Sequence, residues 1–179
     1  MLYTVECSYA DKNTEQEWND FYSKEKLPAL ISVKGFITSQ RFKALTPNCP
    51  TYLAIHTIQD ESVITSDEYK QKGGGNFARW QANITNWHRN IYENNEIVPE
   101  IFADQILLLS THLLYMDAFK LKPIKMQSVA LGHSLNYRMA YVLQRNQAEL
   151  IGNIADIHIY EPITIQLKTL SNIQLCNEV

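Results

Sequence analysis

Cysteine is scarce in this chain and forms no pattern: Cys7, Cys49 and Cys176 are odd in number, widely spaced and never part of a Cys-x-x-Cys pair. This argues against a disulfide framework and against a zinc site, and reduced thiols are expected. Long apolar runs are lacking as well, since the longest, Ile106 to Leu109, is far short of the roughly 20 residues a membrane span needs. The 16 Lys and Arg residues are dispersed and the net charge is −3, so neither nucleic acid nor an anionic membrane is expected as a partner. Met1 to Glu6 show no basic segment followed by an apolar stretch, so no export signal is expected and the chain is read as cytoplasmic. Without export, Asn83-Ile84-Thr85 is read as a chance match to a glycosylation site.

What is present suffices for a substantial core. At 179 residues, 45% hydrophobic and 20% charged, the chain reads as a single domain over 1–179, without the low-hydrophobicity signature of disorder. Leu2 to Tyr9 alternate as a half-buried strand. Thr14 to Glu17 fit a capping box ahead of a helix carrying Trp18, Phe21 and Tyr22, which Pro28 should break or restart. Strands are expected at Phe36 to Leu45 and Thr51 to Gln59, then a helical region from about Ser62 that Gly73-Gly74-Gly75 interrupts. Phe77, Trp80, Ile84, Trp87 and Ile91 recur at steps of three and four, which predicts a helix over 77–92 with both tryptophans in the core. Beyond 100, strands are expected at Gln105 to His112, Gln127 to His133, Tyr137 to Arg145 and Ile154 to Ile163, with short helical stretches only at Leu113 to Leu121 and Asn146 to Ile151.

The first part, 1–100, thus reads as strand, helix, strand, strand, helix. The part over 101–179 has the same order with eroded helices. The expected fold class is α+β, a ferredoxin-like α/β barrel built from two degenerate β-α-β-β-α-β halves in one chain.

One stretch carries a family resemblance. Phe21-Tyr22, Glu25-Lys26-Leu27-Pro28, Leu30, Gly35-Phe36 and Arg41-Phe42 resemble in order and spacing the EthD-like branch of the dimeric α/β-barrel superfamily. The likeness covers about 25 residues strongly. Two positions depart from it: Lys26 stands where many relatives have histidine, and Lys34 where they have proline, so a role tied to that histidine does not carry over. The resemblance implies mostly a barrel architecture, in a superfamily that includes cofactor-free monooxygenases, isomerases, decarboxylating enzymes, haem enzymes and members with no known activity; exposed sheet edges and outer helices leave a homodimer possible. Fold of this kind does not settle function.

Candidate chemistry comes from strand faces. His56 alternates with Tyr52 against Leu53, Ile55 and Thr57, and His158 shares its side with Asp156 and Tyr160. If the apolar faces meet the helices, His56, His158, Asp156, Tyr52 and Tyr160 line the barrel lumen, with Glu6 and Gln40 or Arg41 from neighbouring strands. An imidazole oriented by a carboxylate can move a proton at a carbonyl or enol. His56, His158 and Asp156 are therefore the catalytic candidates, and Glu6, Arg41, Tyr52, Tyr160 and Arg79 the ligand-binding ones. The same residues read also as a structural polar network, which is the more common role for such a set, or as ligand binding without chemistry. His56, His88, His112, His133 and His158 show no metal-ligand spacing, and the glycine run lacks the residues of a phosphate loop, so it reads as a mobile cover beside a pocket. No cofactor is expected. The function read from these features is a cofactor-independent acid/base enzyme for a small cyclic or carbonyl-bearing molecule; the alternative is a non-catalytic binding or assembly protein.

Overall fold

A computed structural model describes residues 1–114, 122–132, 137–147 and 156–169. Strands β1 (Leu2–Tyr9), β2 (Phe36–Ala44), β3 (Tyr52–Ile58), β4 (Ile84–Glu93), β5 (Gln105–Ser110), β6 (Ile124–Ala130), β7 (Tyr137–Gln144) and β8 (Ile157–Pro162) close into an eight-stranded antiparallel barrel. Around the ring the order is β3-β1-β4-β6-β7-β5-β8-β2, closed by β2 against β3, and β9 (Leu167–Lys168) adds to β2. The first four strands run β2-β3-β1-β4 and the last four β6-β7-β5-β8, joined by the pairs β4–β6 and β8–β2. Closure leaves the eight barrel strands without an unpaired edge. Among the described residues, no helix is long and apolar enough to cross a membrane.

The helical layer lies over the first half. Helices α1 (Glu15–Phe21) and α2 (Leu27–Ile31) are joined through a π-turn at Tyr22–Lys26, in which the Leu27 N–H bonds to the Tyr22 carbonyl. Pro28 therefore does not break the helix. It sits in the first turn of α2, where its missing N–H costs little. The wider turn also sets orientation. In a regular α-helix, four-residue steps drift by about 40°; here Trp18, Tyr22, Lys26 and Leu30 all stay buried. The capping box does not form: the Thr14 hydroxyl donates to Asp11 (2.7 Å) and caps no helical N–H. Helix α3 (Asp67–Gln71) is capped by Ser66, whose hydroxyl accepts from the Tyr69 N–H (3.1 Å).

The helix expected over 77–92 is a short 3₁₀ segment, Ala78–Asn83, followed by β4. Steps of three and four occur in strands too once a bulge resets the phase, and here the register against β1 shifts between Glu6 and Ser8 while Asn86 has φ 49°. Ile84, Thr85, Trp87, Ile91 and Tyr92 suit a pleated surface, and β4 bonds to β1 and β6 at once, which a helix could not do. Trp80 is buried as expected, whereas Trp87 is 36% exposed. The strands expected at Gln127 to His133 and Ile154 to Ile163 begin and end differently, as β6 and β8. His133, 154–155 and most of the short helical stretches proposed for the second half lie outside the described residues.

Alternation along the strands divides the core into layers. Outside the first half of the wall, Tyr3, Val5, Cys7, Tyr52, Ala54 and Ile58 pack against Trp18, Tyr22, Leu27, Leu30, Tyr69 and Phe77 of the helical layer. Inside the barrel lie Leu2, Phe42, Leu53, Ile55, Tyr92, Leu107, Leu109, Met126, Ala140 and Tyr160. Outside the second half, Ile106, Leu108, Met139, Tyr141, Leu143 and Ile157 form a further cluster. Val98 and Ile101 join the interior cluster from the loop after β4, with Gln40 Nε2 donating to the Ile101 carbonyl (2.7 Å).

Candidate functional site

The expected lumen set is divided by the wall of the barrel. His56 is fully buried on the outer face, beneath the helices: its ring stacks on Tyr3 (5.4 Å, 25°) and meets the edge of Phe36, and Nδ1 pairs with the Ser39 hydroxyl at 2.8 Å. Burial, helped by the charge of Lys26, pushes its pKa down to about 3, so the imidazole is neutral at physiological pH. Arg41 and Tyr52 share that outer face. Arg41 donates to the Asn19 carbonyl (3.1 Å), Asn19 Oδ1 (2.9 Å) and Ser23 Oγ (2.7 Å), with its guanidinium over the Tyr22 ring. The Tyr52 hydroxyl donates to Glu15 (2.5 Å) and accepts from Asn19 (2.7 Å). Both residues clamp α1 to the sheet. Placing these residues in the lumen took the apolar strand face for the helix side; both faces of β3 are buried, one by the helices and one by the barrel interior, and it is Leu53 and Ile55 that turn inward.

Glu6 and Tyr160 do face the interior. Glu6 pairs with Arg138 at 3.0 Å, both side chains at most 4% exposed, and the Tyr160 hydroxyl donates to the Pro50 carbonyl (3.2 Å). His158 and Asp156 stand with Arg138, Ser110 and Thr111 around a cleft of about 210 Å³ at the barrel mouth. Burial, and then the charge of Arg138, lowers the His158 pKa. Arg79 is on the surface, paired with Glu17 and stacked on Trp80. His56 and His158 thus lie on opposite sides of the wall and form no pair.

The outer face holds a constellation that sequence reasoning passed over. Lys26, delivered by the π-turn, is 6% exposed and points its Nζ under the loop after α3, donating to the carbonyls of Gly73 (2.5 Å) and Asn76. The rings of Phe77 (4.8 Å) and Tyr22 (5.9 Å) flank the ammonium. Burial holds its pKa at about 8, well below the ordinary 10.5. Tyr3 and Tyr69 join hydroxyls at 2.8 Å, Arg89 lies beside both, and Trp87 and Gly75 complete the wall. The free space enclosed is about 10 Å³, room for about one water, so the Gly73–Asn76 loop closes this pocket as it stands. Positive φ at Gly73 and Gly75 makes that path available to glycine, and a Cβ on Gly74 would meet the Tyr69 ring at 2.3 Å. Lys26 was legible as the residue four after Tyr22 on the buried face; Arg89 was not, because β4 had been taken for a helix.

No family model and no curated protein matches the chain. Solved structures do. The chain shares its barrel fold with proteins bearing monooxygenase and oxidase-like names. A provisionally assigned monooxygenase from Lactobacillus acidophilus superposes with a TM-score of 0.55 at 9% identity, covering 92% of this chain and 94% of that one. One from Fusobacterium nucleatum gives 0.58 at 8% identity with 94% of each chain covered, and an anthrone oxidase-like protein gives 0.53 at 8% with 93% and 92% covered. At such identity the likeness concerns the fold alone. Among the described residues, no cluster of His, Cys, Asp or Glu could hold a metal ion.

Proposed function

We propose that the pocket beneath the helices is the active site of a cofactor-independent enzyme that moves a proton on a small cyclic, carbonyl- or enol-bearing molecule. The observation that carries this reading is Lys26, a buried amine poised near pH 8 among aromatic rings. A base with a pKa near the working pH combines a usable neutral fraction with sufficient basicity. Flat rings suit the walls of Tyr22, Phe77 and Trp87, and the oxyanion formed on deprotonation would meet Arg89 and the Tyr3–Tyr69 hydroxyls. For a ring methylene beside a carbonyl, the carbanion left by Lys26 passes electrons directly to dioxygen. The hydroperoxide then loses water, so that one substrate and one dioxygen give one ketone and one water. The names of the structural neighbours are compatible with that chemistry and do not establish it.

His56 is read here as a positioning group beneath Tyr3, since a neutral, buried imidazole holds the ring without exchanging protons. The order β2-β3-β1-β4 repeated as β6-β7-β5-β8 supports a ferredoxin-like duplication, a fused pseudo-dimer, and the Phe21 to Phe42 stretch supports the EthD-like branch. A binding protein without turnover is the second reading, favoured by the engagement of Lys26 Nζ with the Gly73 and Asn76 carbonyls.

Screening anthrone-type cyclic ketones in air, with oxygen uptake and product mass as readouts, separates the two readings. Turnover should rise with pH through about 8, and Lys26→Met should lower kcat by roughly 10²–10⁴-fold with folding intact. Full turnover in Lys26→Met would remove the assignment. Ligands that raise Tm and are recovered unchanged would favour the binding reading.

A further inference from the structure

The layer beneath the helices holds positive charge that no acid answers. Among the described residues, Lys26, Arg41 and Arg89 have no carboxylate partner, whereas Arg138 inside the barrel has Glu6. Lys26 donates to the Gly73 and Asn76 carbonyls, Arg41 to Asn19 and Ser23, and Arg89 to the Tyr3 and Tyr69 hydroxyls, all of them neutral groups. A shortage of acids is not the reason, since Asp and Glu outnumber Lys and Arg by 19 to 16. Buried charges are ordinarily paired, because the hydration they lose is otherwise not made good. The wall of the pocket shared by Lys26 and Arg89 contains no acidic residue, and Arg41 adds its charge beside that wall, with its guanidinium 4.1 Å from the centre of the Tyr22 ring.

We propose that the ligand of this pocket is a carboxylic acid carried on a flat ring, with Arg89 as the residue that takes the carboxylate. The inference deepens the reading of the Lys26 pocket as the ligand site and rests on it. The planar fork of a guanidinium matches the two oxygens of a carboxylate, which a single ammonium does not. Arg89 lies over the Trp87 ring at 5.0 Å, so a ring attached to the carboxylate is brought against Trp87, Phe77 and Tyr22. One loop covers both cations of the pocket: a Cβ on Gly75 would lie 3.2 Å from Arg89 Nη1, and one on Gly73 would lie 3.9 Å from Lys26 Nζ. The free space of about 10 Å³ admits no ring while that loop is in place, so the ligand enters by displacing it. Lys26 then exchanges two carbonyl dipoles for the field of an anion. With the carboxylate on Arg89, the Tyr3 and Tyr69 hydroxyls are left to serve the oxyanion. A neutral ligand would leave the cations uncompensated, and a cationic one would add a like charge.

Titrating the full chain with benzoate, and with benzamide as its uncharged isostere, tests this when the Arg89 Nε–H and Trp87 indole signals are followed by NMR. Benzoate should shift both signals saturably. It should bind at least roughly tenfold more tightly than benzamide, and than acetate, which carries the charge without the ring. Arg89→Gln should bring benzoate to within about threefold of benzamide; Arg89→Leu makes the same test should the first variant not fold. None of these readouts needs turnover. A benzoate preference in a protein that converts no ketone would leave the inference standing and remove the acid/base reading, whereas turnover of neutral ketones with no benzoate preference would do the reverse. No saturable shift, benzamide or acetate binding as well as benzoate, or a folded Arg89 variant that keeps the full preference would each overturn the proposal.

Discussion

Strand β1 presents two opposite kinds of environment. Its outward residues, Tyr3, Val5 and Cys7, enter an aromatic layer in which Tyr3 pairs with Tyr69, His56 Nδ1 with Ser39, Lys26 with two loop carbonyls and Arg41 with α1, while Trp18 Nε1, Tyr22 Oη and His56 Nε2 have no partner. Its inward residues, Leu2, Thr4 and Glu6, enter an apolar barrel in which, among the described residues, Glu6 pairs with Arg138 and the Tyr92 hydroxyl bonds to Thr4 and Arg138. The outer layer is bounded by short helices and by the Gly73–Asn76 loop, whose carbonyls hold Lys26. The inner one is enclosed by strands bonded on both sides, so its polar groups must be served in place. Buried charge is consequently tolerated outside by a shifted pKa and inside only by pairing.

The comparison is broken most sharply at Arg138. Arg138→Met should leave Glu6 as an unpaired buried carboxylate and destabilise the fold by about 3–5 kcal/mol, read by denaturant unfolding at pH 7. Adding Glu6→Leu to Arg138→Met should recover much of that loss. A single variant as stable as the parent would show that the interior is wetter than its burial implies.

A smaller effect is expected on the outer face. The folded-state pKa of His56, about 3, lies below the ordinary 6.5, so the unfolded chain binds the extra proton between those values. Its contribution to stability is therefore present above about pH 6.5 and lost as pH falls toward 3. His56→Phe should flatten the acid limb of a stability-against-pH curve over this window; an unchanged acid limb would count against a neutral, buried imidazole. The smallest effect belongs to the surface: Arg79→Ala removes an exposed pair with Glu17 and should change stability by less than about 1 kcal/mol, with thermal unfolding as the check.

Much of the strand framework was readable before the fold was seen, because β1, β3, β5 and β7 each declare themselves in a few residues of alternating or β-branched character. The site was less readable. His56 and Arg41 were visible as polar residues on strands, but both faces of those strands are buried, so the pattern of polarity did not give their direction. Lys26 was noticed only as a departure from a family histidine, and its burial depends on a π-turn that local propensity does not announce. Arg89 and Trp87 were hidden by an apolar spacing that fits a helix as well as a bulged strand.

By itself the sequence determined where most of the strands run, β4 excepted, that a helical segment carrying Trp18, Tyr22 and Lys26 follows β1, and that Gly73 to Gly75 interrupt the chain. These are local consequences of side-chain period, proline and glycine. Only the tertiary structure decided which face of each strand became the interior, and with it that Glu6 meets Arg138 while His56 lies beneath the helices. Alternation says that two faces differ, but the choice between them is made when the barrel closes, bringing together residues more than a hundred positions apart.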